Sequence, residues 1–289
     1  MIKEVTITGG THGNELIGIY LVKSWLKDPR AIQRSNFKTN CYLLNKKAIK
    51  ECRRYIDRDL NRCFNTKILS SQSELYEENL AKEIDELLGK KGSDDPKSDF
   101  IVDLHTTTAN MGLSIVVSNE NQLTWEAISY IKDKVPELNV YMWRGDEEDS
   151  FVDSIAPNGF AIEVGAIPQG VLRSDLYQKT EQIVYHLLDF IEIYNSDKSY
   201  SLRDVEYFEH VMLVNYPKDK DGDIEAMVHE DRQDRDFELI STREPLFRRF
   251  DGEIISYEGE DLYTLFINEA AYYEKGFAMT LARKSIKNI

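Results

Sequence analysis

The tightest constraint on this chain lies near its start. Val5-Thr6-Ile7-Thr8 alternates like a β-strand, breaks at Gly9-Gly10, and passes through Thr11-His12-Gly13-Asn14-Glu15 into a helical pattern from Asn14 to about Lys27. A strand, a tight turn and a helix form the building unit of an α/β sheet. The three glycines let the backbone bend sharply enough for His12 and Glu15 to point toward one sheet edge. A second buried strand, Phe100-Ile101-Val102-Asp103, delivers His105 at its C-terminal end. Two imidazoles and one carboxylate from two strand ends match the ligand set of a catalytic zinc, which keeps a fourth position for water. A His-x-x-Glu alone is a weak signal, and its weight comes from the glycines and the second strand-end histidine. The chain has only five histidines, so this grouping directs the expected chemistry to metal-assisted hydrolysis.

The remaining pattern extends the α/β reading. Cys41 to Asn45 reads as a strand, and Ser71 with Glu74 reads as a capping box for a helix carrying Leu75, Leu80, Ile84 and Leu88, stopped by Gly89. Lys90 to Ser98 is a solvated loop. Strands are expected at Leu113 to Val117, Val140 to Trp143 and Phe160 to Val164, with helices at about Gln122 to Lys134 and Asp175 to Tyr194. Such alternation implies a largely parallel sheet with ligands gathered at strand C-terminal ends. After about Leu202 the pattern becomes one of short strands, at Val205 to Val214, Glu238 to Ile240, Glu253 to Tyr257 and Tyr263 to Ile267. The expected division is therefore a catalytic domain over 1–202 and a smaller β-rich domain over 203–289.

Composition bounds the partners. Asp and Glu outnumber Lys and Arg by 51 to 36, a net charge of -15, which argues against nucleic acid and anionic membrane surfaces. No apolar run is long enough to span a bilayer, and there is no N-terminal signal pattern. Cys41, Cys52 and Cys63 are odd in number and lack CxxC spacing, as reduced thiols of the cytoplasm would be. A small-molecule substrate is expected, with a symmetric homodimer as the default assembly.

Other residues qualify as candidates. Glu163, inside the apolar strand Ala161-Ile162-Glu163-Val164-Gly165, suits the carboxylate that takes a proton from water and passes it to a leaving amine; an ion-paired strand-end carboxylate is the plainer reading. Asp103 either accepts a hydrogen bond from a ligand imidazole or caps local backbone. His186, His210 and His229 read as packed or surface histidines. The run from Arg53 to Arg62 holds Arg53, Arg54, Arg58 and Arg62. Such runs are usually solvated faces, yet in so acidic a chain this one suits gripping carboxylates and stabilising an oxyanion.

These blocks together resemble the aspartoacylase family: Gly10 to Glu15, Arg54-Tyr55-Ile56-Asp57 with Asp59-Leu60-Asn61-Arg62, Asp103-Leu104-His105, Ile162 to Gly165, Pro168 to Arg173, and Asn268 to Lys275. Their shared order spans nearly the whole chain. The resemblance implies a zinc carboxypeptidase-like domain, a mixed and largely parallel sheet flanked by helices, with a β-rich C-terminal domain covering the active site. It implies one zinc per chain held by His12, Glu15 and His105, with Glu163 as general acid/base. It further implies Arg54 on the acyl carbonyl, Asn61 and Arg62 on the substrate α-carboxylate, and Tyr272 completing the pocket.

The activity so implied is deacylation of an N-acyl amino acid, N-acetyl-L-aspartate first. One departure bears on the substrate. Members acting on N-acetyl-aspartate carry an arginine for its side-chain carboxylate in a Thr-Arg-Ser-Ile-Ala context, and the matching block here is Val152-Asp153-Ser154-Ile155-Ala156. Asp153 would repel an aspartate side chain unless Arg144 or Lys275 compensates, so a different N-acyl amino acid is the alternative substrate. A non-catalytic binding protein on the same fold is the alternative of another class.

Overall fold

The computed structural model describes residues 1–145, 150–196 and 198–289. Its opening unit is the one the glycines demand. Strand β1 (Glu4–Gly9) turns into helix α1 (Leu16–Lys27). A Cβ on Gly9 would lie 2.6 Å from the Gly18 carbonyl oxygen, and one on Gly18 would lie 2.7 Å from Leu104. Only bare backbone lets the helix press this closely on the sheet.

Strands β2 (Lys38–Leu43), β3 (Phe100–Thr106), β4 (Gly112–Val117), β5 (Asn139–Met142) and β6 (Asn158–Gly165) follow, interleaved with α2 (Lys46–Glu51), α3 (Thr66–Ser70), α4 (Tyr76–Leu88) and α5 (Gln122–Lys134). Helix α6 (Ser174–Asn195) precedes the β-rich tail of β7 (Val205–Asn215), β8 (Ala226–Val228), β9 (Glu238–Ile240), β10 (Pro245–Arg249), β11 (Ile254–Ser256), β12 (Leu262–Leu265) and β13 (Phe277–Lys287). Ten strands form one sheet in the order β2-β1-β3-β6-β4-β5-β7-β13-β12-β9, and β11-β10-β8 form a second. Strands β2, β1, β3 and β6 pair in parallel, whereas β4 runs antiparallel to β6. Four strands of the tail, β7, β13, β12 and β9, continue the main sheet. Strands β8, β10 and β13 lie where no strand was expected from sequence.

The period of two on β3 sorts its residues by face. Phe100, Val102 and Leu104 pack with Ile17, Leu21 and Trp25 of α1 and with α5 and α6, through Trp125, Ile128, Leu187 and Phe190. Ile101 packs on the opposite face with Ile84 and Leu88 of α4. Asp103 and His105 share the parity of Ile101, so they emerge on the α4 side, past the end of that apolar layer.

Helix α4 departs from its expected start. Ser71 closes α3, its hydroxyl donating to the Ile68 carbonyl at 2.9 Å, and no Ser71–Glu74 box forms. The α4 N-terminus is capped from a distance, because the Tyr76 N–H donates to Asp57 Oδ2 at 2.8 Å. Gly89 ends the helix in the left-handed region, as its sequence position implied. Among the described residues no helix is long and apolar enough to cross a membrane, and all three cysteines are free thiols.

Candidate metal centre and active site

The turn after β1 is built so that His12 and Glu15 face inward. A Cβ on Gly13 would sit 2.1 Å from the Ala48 carbonyl carbon, so only glycine fits, and its N–H donates to the Arg54 carbonyl at 3.2 Å. Glu15 is the N-cap residue of α1 but gives its side chain to no cap. Its Oε1 lies 2.7 Å from His12 Nδ1, its Oε2 lies 2.9 Å from His105 Nδ1, and the two Nδ1 atoms are 3.1 Å apart. All three residues are buried, and their donor atoms lie within 4.8 Å of one another.

This donor set fits zinc, two nitrogens and one oxygen converging on a point. The distal nitrogens support the fit. His105 Nε2 meets Asp103 Oδ2 at 2.6 Å, and His12 Nε2 meets Asp59 Oδ1 at 2.9 Å. A carboxylate on each Nε2–H leaves each Nδ1 lone pair for a metal and fixes the ring. Asp103 is itself held by the hydroxyls of Thr8 at 2.7 Å and Thr11 at 2.8 Å. Of the two sequence readings of Asp103, the imidazole partner is the one present.

Charge follows from this packing. Burial alone would raise the Glu15 carboxyl, but the His12 and His105 imidazoles outweigh it and hold it well below the usual carboxylate range. Burial opposes the His105 cation, yet Asp103 and Glu15 push that imidazole well above its ordinary value. Asp59 is likewise buried and held low by His12 and Arg54.

The arginine run divides. Arg53 and Arg58 face solvent beside Glu51 and Glu78, whereas Arg54 and Arg62 line one cavity with His12, His105, Asn61, Glu163 and Tyr272. Glu77, fully buried on α4, shapes the loop by accepting the N–H groups of Ile56, Asp57 and Arg58 at 2.6, 2.9 and 3.1 Å. Arg54 then spans Glu15 Oε1 at 2.9 Å and Asp59 Oδ2 at 3.1 Å. Asn61 accepts the Val152 N–H at 2.9 Å, and the Arg62 guanidinium lies 5.0 Å over the Phe151 ring.

Glu163 enters from β6. It is the register partner of His105 on β3, so both side chains leave the same face of the sheet. Its Oε2 is buried with no hydrogen-bond partner in the protein. Burial, with Glu15 and Glu269 nearby, pushes its carboxyl up to about 8 against the pull of His105 and Arg54. Asp153 lines the same cavity, and burial together with Asp103 raises it to about 7. The positive groups that act on it are His105 and Lys91. Arg144 pairs with Glu120 and with Glu209, and Lys275 lines an adjoining cavity.

Several site groups had no sequence assignment. Asp59 bridges His12 and Arg54, and only its place in the Asp59-Leu60-Asn61-Arg62 block pointed to it. Glu269 caps the 3-10 turn Ala270–Lys275 that carries Tyr272 and accepts the Thr108 and Ala109 N–H groups at 2.7 and 3.1 Å. It thereby ties Tyr272 to the loop that follows His105. Tyr141, Trp143, Phe151 and Phe266 form an aromatic wall of the cavity.

Known proteins resemble this chain over nearly its whole length. The profile of the succinylglutamate desuccinylase/aspartoacylase catalytic domain matches residues 1–191, and that of the AstE/AspA barrel-sandwich hybrid domain matches residues 203–284. A protein of Trichodesmium erythraeum named probable aspartoacylase is 48% identical over 98% of this chain and 97% of its own. The human N-acyl-aromatic-L-amino acid amidohydrolase (carboxylate-forming) is 40% identical over 98% of this chain and 91% of its own. The crystal structure of murine aminoacylase 3 superposes with a TM-score of 0.93 at 37% identity, covering 99% of this chain and 96% of that one.

Proposed function

The chain belongs to the succinylglutamate desuccinylase/aspartoacylase family of amidohydrolases, and we propose that it uses zinc to split an N-acyl-L-amino acid into a carboxylate and a free amino acid. The observation that carries this reading is Glu163, whose buried Oε2 has no partner, in register with His105. A bound zinc on His12, Glu15 and His105 supplies a Lewis acid for the acyl carbonyl and acidifies water. Glu163 takes one proton from the attacking water and passes it to the leaving nitrogen, and the acid released gives its remaining proton to the amine, so water and amide become carboxylate and ammonium. A raised carboxyl keeps a proton readily for that second transfer, and a bound dication would favour its carboxylate form for the first. Arg54 stabilises the negative oxygen of the tetrahedral intermediate, tethered by Glu15 and Asp59 so that it needs no reorganisation. Asn61 and Arg62 hold the α-carboxylate, and Tyr272 closes the pocket.

For the side chain of the substrate, the lining favours an uncharged group. Arg54 and Arg62, the cations of this cavity, are already assigned to the carbonyl and the α-carboxylate, and Asp153 stands where an aspartate side chain would need a cation. N-acetyl-L-aspartate is the second reading, supported by the name of the Trichodesmium relative. Acetate release from a panel of N-acetyl amino acids, by the wild type and Asp153→Arg, separates them. Preference of the wild type for neutral side chains, with a gain on the aspartate substrate in Asp153→Arg, supports the first reading. Wild-type preference for N-acetyl-L-aspartate, with no gain in the variant, supports the second. A zinc-loaded chain that releases no acetate from any of them is a binding protein on this fold.

A further inference from the structure

Arg54 lines two cavities, the catalytic one and another of about 390 Å³. That volume lies within the roughly 300–1,000 Å³ of small-molecule sites. Two segments wall it. One runs from Cys52 to Tyr55 in the arginine run, and the other is the 3-10 turn that carries Tyr272, through Ala270, Ala271, Tyr273 and Glu274. The Tyr55 hydroxyl donates to the Glu274 carboxylate and joins the two.

The polar groups of this cavity are fixed in place and are not used by the proposed reaction. Asn14 lines it and is only 7% exposed. Its Nδ2 donates to Gln169 Oε1 at 2.8 Å, and its carbonyl accepts the Gly170 N–H at 2.8 Å. Its Oδ1 is buried with no hydrogen-bond partner among the described residues, and a buried acceptor calls for a donor. Two opposite charges, Arg53 and Glu274, line the same cavity, and both residues are exposed. Arg54 is engaged by Glu15 and Asp59, whereas the Arg53 guanidinium touches Glu51 loosely, at 3.7 Å. A cation, a carboxylate and a bare acceptor together match a ligand that carries both a carboxylate and an ammonium. An ion of either sign alone would leave one of these groups unmatched.

We propose that this cavity is a second ligand site, separate from the catalytic one, and that it takes a free α-amino acid as its zwitterion, with the carboxylate on Arg53 and the ammonium by Glu274 and the Asn14 amide. An occupant bridges the two segments that carry Arg54 and Tyr272 into the catalytic cavity. The ligand belongs to the class that the proposed deacylation releases, but its binding needs no turnover, so the site does not depend on that reading.

Cys52 supplies the readout, because it is exposed and lines this cavity. Cys41 is half-buried and Cys63 buried, and burial pushes both thiols up to about 12, so methyl methanethiosulfonate labels Cys52 first. In the zinc-loaded protein, saturating L-alanine or L-leucine is expected to slow that labelling by about tenfold, with Cys52→Ser unlabelled over the same time. L-Leucinamide, which lacks the carboxylate, and isocaproate, which lacks the ammonium, are expected to leave the rate unchanged. Protection is expected to persist in Arg62→Ala, which disables the α-carboxylate grip of the catalytic cavity, and to be lost in Arg53→Ala and Glu274→Gln, each compared with the same variant without ligand. Absence of protection by both amino acids in the wild type overturns the site. Equal protection by leucinamide or isocaproate overturns the zwitterion. Protection lost in Arg62→Ala but kept in Arg53→Ala puts the amino acid in the catalytic cavity and overturns the second site. Labelling reads no turnover, so failure here leaves the deacylase reading standing, and a chain that deacylates nothing still passes or fails this test.

Discussion

His105 and Glu163 are direct register partners on adjacent parallel strands, β3 and β6. That one pairing sets the His105 imidazole, one of three donors that converge as a metal site would, beside a carboxylate whose buried oxygen has no partner. Strand pairing, rather than a flexible loop, thus holds the proposed base at a fixed offset from the proposed metal position, as proton transfer requires.

Replacing Glu163 tests this division of labour. Glu163→Ala is expected to retain zinc, because no ligand is touched, and to lose at least about a hundredfold in kcat. Metal content by elemental analysis and acetate release by coupled assay check both halves. Near-normal turnover with zinc in place sinks the assignment.

Asp59 has two partners, and both matter. It orients His12 through Nε2 and steadies Arg54. Asp59→Ala is expected to weaken zinc binding by about 10- to 100-fold and to slow turnover further even at saturating zinc, since Arg54 loses a tether. Chelator competition followed by zinc-saturated kinetics reads the two effects separately. Unaltered affinity would remove Asp59 from the metal centre.

Glu269 joins the Tyr272 turn to the strand end beyond His105. Its Oε2 accepts from Thr107, Thr108 and Ala109, and its Oε1 accepts the Ala271 N–H at 3.0 Å. Glu269→Ala leaves several buried donors without an acceptor, so a loss of about 3 kcal/mol is expected by chemical denaturation. A change below about 0.5 kcal/mol would mean that the network reorganises freely.

Asp236 gives a pH dependence away from the metal. Burial pushes its carboxyl up to about 7, its Oδ1 accepts the Ile267 N–H at 3.1 Å, and its Oδ2 has no partner. A folded value above the unfolded one means that the native state holds the proton longer. Stability from this group is therefore fullest below the unfolded carboxyl value near 3.8 and is lost as pH rises toward 7. Asp236→Asn is expected to raise the melting temperature by about 2 °C or more at pH 8, with the gain shrinking toward pH 5. A pH-independent difference contradicts it.

Local chemistry made much of this molecule readable from its sequence. The glycines around His12 have close backbone neighbours at Ala48 and Gly18, so their demand is strict and visible. Helix α5 carries a clean apolar period and runs over the expected Gln122 to Lys134. The start of α4 was misplaced because its cap, Asp57, comes from a loop that only tertiary structure brings near. Strand β13 escaped notice because Arg283, Lys284 and Lys287 interrupt its apolar side, while Met279 and Leu281 are buried only once β7 pairs beside them. Nothing in the sequence singles out Tyr141, Trp143, Phe151 and Phe266; their convergence on one cavity is a property of the fold. The bond of Asp59 to His12 needs the fold to appear.

The central claim is that His12, Glu15 and His105 hold the metal on which amide cleavage depends. The most direct measurement strips the protein with a chelator, follows acetate release from the best N-acetyl amino acid, and titrates zinc back. The account predicts loss of activity in the stripped protein and full recovery at one zinc per chain, with no recovery in His105→Ala. Undiminished activity in protein shown to be free of metal would contradict it.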